Sequence, residues 1–201
     1  EDRELLVTSP SFPLTTIELT HPSGNTLPAS TDLLAVAAAD ARFVFRTETF
    51  VTGDIGGLAP VTGVAAGDAL CSSQAALFGL PGTYKAWLSD ATSSPATHFS
   101  QSTGPYVNMN GEEVAADWSA LTTSGITASV GVSPNGASAT TVWTGTNADG
   151  TAATANCVDW SSDSNGQNGL YGFATSTTGS QWTSIGALVC NAFGSLVCFE
   201  Q

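Results

Sequence analysis

At 201 residues, 42% hydrophobic and only 10% charged, the chain is long enough to bury a core and too sparsely charged for a disordered polyelectrolyte. Arg3, Arg42, Arg46 and Lys85 oppose 17 acidic residues, and a formal net charge of -13 excludes a phosphate-neutralising face for nucleic acid and disfavours docking on anionic lipid. No uninterrupted apolar run approaches the length of a membrane span, so no membrane insertion is expected.

Residues 1–40 read as an extended, Pro-rich N-terminal arm. Pro10, Pro13, Pro22 and Pro28 punctuate Leu5-Leu6-Val7 and Leu14-Thr15-Thr16-Ile17-Glu18-Leu19, two short runs whose period-two alternation suits a strand and not a helix. Such a strand needs a sheet to join. The compact domain is expected over residues 41–201, opening with a strand at Arg42-Phe43-Val44-Phe45-Arg46, with Phe43 and Phe45 on one face. Ala65 to Phe78, rich in Ala and Leu, with Asp68 near its start and Gly79 past its end, predicts a helix that carries Cys71. A second helix is expected from Glu112 to Leu121, where paired acids suit the first turn and Val114, Trp118 and Leu121 share a face. Beyond it the pattern becomes brief strands between turns: Val142–Thr144, Cys157–Trp160, Tyr171–Phe173, Gln181–Thr183 and Leu196–Phe199. The fold class is therefore α+β, with a long loop-rich region.

The four cysteines, Cys71, Cys157, Cys190 and Cys198, form no CxxC pair, and the two histidines, His21 and His98, lie far apart. Disulfides fit this better than zinc, and their connectivity is left open among three pairings. Disulfides, low Lys content and Ser/Thr richness suit an exported protein. The start at Glu1, without an initiator Met, fits a chain whose signal peptide has been cleaved, so an extracellular or cell-surface location is expected.

The runs Gly56-Gly57-Leu58, Gly67-Asp68-Ala69-Leu70-Cys71, Gly79 to Asp90, Trp143-Thr144-Gly145-Thr146, Cys157-Val158-Asp159-Trp160 and Cys198-Phe199-Glu200-Gln201 are similar to those of a C-type-lectin-like domain. The likeness is closest to a bacterial, endostatin-related family of exported domains, and it spans about residues 42–201. It implies two helices, a small antiparallel sheet and a long loop region. It also implies that the first cysteine pairs with the last and the middle two with each other: Cys71 with Cys198, and Cys157 with Cys190.

Sugar-binding lectins of this kind hold calcium with Glu-Pro-Asn or Gln-Pro-Asp and Trp-Asn-Asp triplets, none of which occurs in the sequence. No cofactor and no metal site is expected. The stretches holding Asp149, Asp159 and Asp163 are the alternative for calcium, although Asp and Asn are also ordinary turn residues. No serine sits in a nucleophile elbow, and the histidines read as exposed polar residues, so no catalytic residue is assigned and the chain is expected not to be an enzyme.

Two functions remain. The first is self-assembly into a filament or surface appendage, or adhesion, with Leu5, Val7, Phe12, Leu14, Ile17 and Leu19 anchoring the arm on a neighbouring subunit. The second is a recognition module for a glycan or a protein. It would use the loops between Trp143 and Trp182, with Trp143, Asp149, Asp159, Trp160, Asp163 and Trp182 as contacts. Burial in the core is the competing account of the tryptophans.

Overall fold

A computed structural model describes residues 41–58 and 61–201. The arm residues Leu5, Val7, Phe12, Leu14, Ile17 and Leu19 lie outside the described residues. The fold is α+β, built on two sheets.

The larger sheet has five strands: β1 (Arg42–Arg46), β2 (Tyr84–Ala86), β3 (Tyr106–Asn108), β4 (Glu113–Ala115) and β8 (Val197–Glu200), in the order β2-β8-β1-β3-β4. Here β1 lies antiparallel to β8, with Phe45 opposite Cys198, so the two ends of the domain meet in one sheet. The sheet is mixed and not antiparallel throughout, because β1 also pairs in parallel with β3, Phe43 opposite Val107. A parallel pair needs a long crossover, and the chain between Arg46 and Tyr106 supplies one through helix α1 (Gly63–Leu77), β2 and the single turn α2 (Pro95–His98).

Continuous apolar runs, and not alternation, mark these strands because both faces are covered. Phe45, Tyr84, Ala86, Leu196 and Cys198 face a core shared with α1, whereas Val44, Tyr106, Val197 and Phe199 face a second core around Trp87. Phe43 departs from the expected pattern. It shares Phe45's face of the strand but is 39% exposed, so only the second half of that face is covered. In the second core, Trp87 packs against Phe99, Trp118, Trp182 and Phe199 with ring centroids 4.8 to 5.9 Å apart.

The sequence signals for α1 hold at its end. Leu80 N–H donates to the Ala75 carbonyl and Gly79 N–H to that of Ala76, so the last turn is closed by backbone bonds across Gly79. The helix starts two residues before the expected Ala65, which places Asp68 beyond the first turn.

The helix expected from Glu112 is corrected. Asn108 to Glu112 form the turn of a β3–β4 hairpin, with Gly111 at φ +81°, and the Asn-Gly signal outweighs the paired acids. Val114 is a strand residue, and the helix α3 is only Trp118–Thr123, capped by Asp117, whose carboxylate accepts from Ala120 N–H at 2.7 Å.

The smaller sheet has three strands in the order β5 (Thr141–Trp143), β6 (Asn168–Phe173) and β7 (Gly186–Val189), all antiparallel. Two expected strands are absent from it. Gln181–Thr183 is a turn, with Thr183 and Ser184 N–H both donating to the Ser180 carbonyl. Cys157–Trp160 is a left-handed turn, with φ of 50°, 57°, 54° and 60°.

Disulfides join Cys71 to Cys198 and Cys157 to Cys190, the nested pairing that the resemblance implied. In the chain-entropy picture, loops closed over separations of 127 and 33 residues give roughly 5 and 4 kcal/mol. Such bonds persist in oxidising compartments. No helix among the described residues is long and apolar enough to cross a membrane.

Candidate functional site

A cleft of about 380 Å³ opens at the N-terminus of α1 and is lined by Thr62, Gly63, Asp68, Asp90, His98 and Asp159 among others. Four separate chain segments meet there. Thr62 has the extended backbone of an N-cap but makes no side-chain cap bond. Asp90 takes over that role from the loop after β2, its Oδ2 accepting from Val64 N–H at 3.2 Å. Its Oδ1 accepts from Thr92 N–H, Thr92 Oγ1 and Ser93 N–H at 2.8 to 2.9 Å. Burial pushes the Asp90 carboxyl up, but these hydrogen bonds outweigh it and hold the group below its ordinary value. Gly63 permits the contact: its φ is +64°, and a Cβ there would lie 2.8 Å from Asp90 Oδ2.

Asp68 bridges two further elements. Its Oδ1 accepts from Ala86 N–H on the outer edge of β2 at 2.8 Å, and its Oδ2 lies 2.6 Å from His98 Nε2. His98 is thus a half-buried residue held against Asp68 and not the exposed polar histidine expected. Lys85 Nζ donates to the His98 carbonyl at 2.6 Å. The Asp68–His98 pair resembles two-thirds of a nucleophilic relay, yet among the described residues no hydroxyl or thiol side chain bonds to His98.

Asp159 reaches the cleft from the left-handed turn. Its Oδ1 accepts from Ala91 N–H at 2.8 Å and from Asn156 Nδ2 at 2.7 Å. A left-handed conformation costs about 1–2 kcal/mol for each non-glycine residue. The Cys157–Cys190 bridge, the Asp159 bonds and the burial of Trp160, whose Nε1 donates to the Ser89 carbonyl at 2.7 Å, offset that cost.

The remaining contacts expected from sequence are dispersed. Trp143, Trp160 and Trp182 have no exposed surface, so none of them can stack on a ligand; each is a core residue. Trp143 Nε1 donates to the Val51 carbonyl at 3.1 Å. Asp149 is an exposed turn residue that accepts from Thr151 N–H and Thr151 Oγ1, bonds that hold its carboxyl below the usual range. Asp163 is exposed on the loop after the left-handed turn. Among the described residues no group of three or more His, Cys, Asp or Glu is placed to hold a metal ion.

Of the six expected contacts, only Asp159 lines the cleft. Asp68, Asp90 and His98 carry no joint signal in the sequence. The one local hint is the run Asp90-Ala91-Thr92-Ser93, an acid followed by the amides and hydroxyl that it accepts from. No family model matches the chain, and no curated protein matches it.

Proposed function

We propose that the chain is an extracellular, non-catalytic surface domain of C-type-lectin-like architecture that works by association with copies of itself, residues 1–40 serving as the donated segment. The observation that carries this reading is the closure of the larger sheet. Its first and last strands are neighbours, a core packs on each face with only the Phe43 end of one face open, and among the described residues side chains or loops cover both edges. A strand with the alternation of Leu14–Leu19 gains main-chain bonds from a sheet edge that is still open, which a neighbouring copy can offer.

The recognition reading is weaker because its aromatic members are in the core. The carboxylates of the cleft are also engaged by the protein's own amides and by His98. The nested cystines and the helix-to-closing-strand bridge support the lectin-like assignment.

The test is removal of residues 1–40. Light scattering and electron microscopy should find large assemblies of the full chain and monomers of residues 41–201, with the same thermal midpoint for the truncated domain. Equal particle sizes for both would refute the reading.

A further inference from the structure

The two sheets have four outer edges, and among the described residues three are covered. On β2, Ala86 N–H donates to Asp68 and the Tyr84 carbonyl accepts from Ser72 Oγ. On β4, Thr127 donates from N–H to the Val114 carbonyl and from Oγ1 to that of Glu113. On β5, Ser195 accepts from Trp143 N–H and donates to the Thr141 carbonyl.

The fourth edge, β7, is different. Leu170 faces Ala187 across the β6–β7 pair, but its N–H goes to Ala155 and its carbonyl accepts from Thr144 and Gly145, both away from β7. The pair is therefore a non-hydrogen-bonded one, and antiparallel alternation turns the Ala187 N–H and carbonyl outward. No described residue bonds to either.

Edges left open in this way are ordinarily guarded by charge, Pro or a bulge. From Ile185 to Gly194 there is no charged residue and no Pro, in a chain of net charge -13. Instead the edge and its continuation expose Ile185 at 36%, Val189 at 39% and Phe193 at 67%. Ala192 N–H donates to the Val189 carbonyl, so Val189 and Phe193 flank one turn. This is a rim of exposed apolar side chains beside unpaired main-chain groups, the two requirements of strand addition.

We propose that the outer edge of β7 is the acceptor for residues Leu14–Leu19 of a second copy of the chain; this rests on the self-association reading. The donor has the period-two pattern that a sheet edge reads, with Ile17 and Leu19 on one face, and its single charge, Glu18, falls on the other. The 22 residues between Leu19 and Arg42 can span up to about 70 Å, enough to reach a neighbouring domain. Because donor and acceptor are different surfaces, the contact is head-to-tail and builds an open chain unless its rotation closes a ring.

The experiment uses the full chain. Ala187→Pro removes an outward amide and leaves the β6 pairing intact, and Val189→Lys places a charge on an exposed rim position. Each is expected to lower the assembled fraction at least tenfold at equal concentration while the circular dichroism of the domain is unchanged. In the unaltered protein, hydrogen exchange at the Ala187 amide is expected to slow at least tenfold on assembly, which decides the matter even where a variant misfolds. If the full chain assembles but both folded variants assemble equally well and Ala187 exchanges as fast as in the monomer, the β7 acceptor is overturned and self-association stands. A full chain that stays monomeric overturns both.

Discussion

The two sheets are held by different means. The five-stranded sheet sits between two apolar cores, and its bridge, Cys71–Cys198, closes a separation of 127 residues. The three-stranded sheet and the loops around it are stitched by side chain to backbone bonds, by a left-handed turn and by the shorter Cys157–Cys190 bridge. Burial on both sides holds the first region, whereas the second shares those cores through Val142, Trp143 and Trp182, adds local cross-links and leaves β7 with an open side.

Removing one bridge at a time is the strongest way to break this contrast. Cys71→Ala with Cys198→Ala should cost about 5 kcal/mol in chemical denaturation and lower the global midpoint. Cys157→Ala with Cys190→Ala should cost about 4 kcal/mol, and hydrogen exchange should speed up first over residues 141–190 while the β1–β8 pair stays protected. Equal acceleration in both sheets would erase the distinction between them.

A smaller effect of opposite sign is expected within the left-handed turn. Val158 is 54% exposed, β-branched and held at φ 57°. Glycine at that position removes the strain at the cost of a freer unfolded chain, so Val158→Gly should stabilise the domain by about 1 kcal/mol. A lower thermal midpoint would show that the turn is not strained.

The smallest effect belongs to the cleft. Asp90→Asn keeps one accepting oxygen and loses the other with the charge, so it should cost about 0.5 kcal/mol, the low end of what one hydrogen bond contributes. The Asp90 carboxyl is held below its ordinary value in the folded state, so its contribution is present above the unfolded value near 4 and is lost as pH falls through the lower, folded one. The gap between the unaltered protein and the Asn variant should therefore close on acidification below about pH 4. A constant gap down to pH 2 would place the effect elsewhere.

What the sequence made legible follows the same division. The strand at Phe43–Phe45, the helix bearing Cys71 and the closing strand at Val197–Phe199 carry long apolar patterns, and all three form. Cys157–Trp160 looked like a strand because its composition is apolar, yet the bridge to Cys190 and the Asn156–Asp159 bonds hold it in a conformation that no local propensity favours. Gln181–Thr183 misled for a similar reason: Trp182 is buried from a turn, and the strand forms instead at the modest Gly-Ala-Leu-Val run of β7, for which no element was expected. Asp68, Asp90, His98 and Asp159 are brought to one cleft by tertiary packing alone, so spacing along the chain does not announce them.

Self-association through residues 1–40 is the claim on which the functional account depends, and sedimentation velocity of the intact chain over a concentration series tests it most directly. The account predicts species that grow with concentration well beyond the 20.3 kDa of one chain. A single boundary at the monomer mass across the whole series would contradict it.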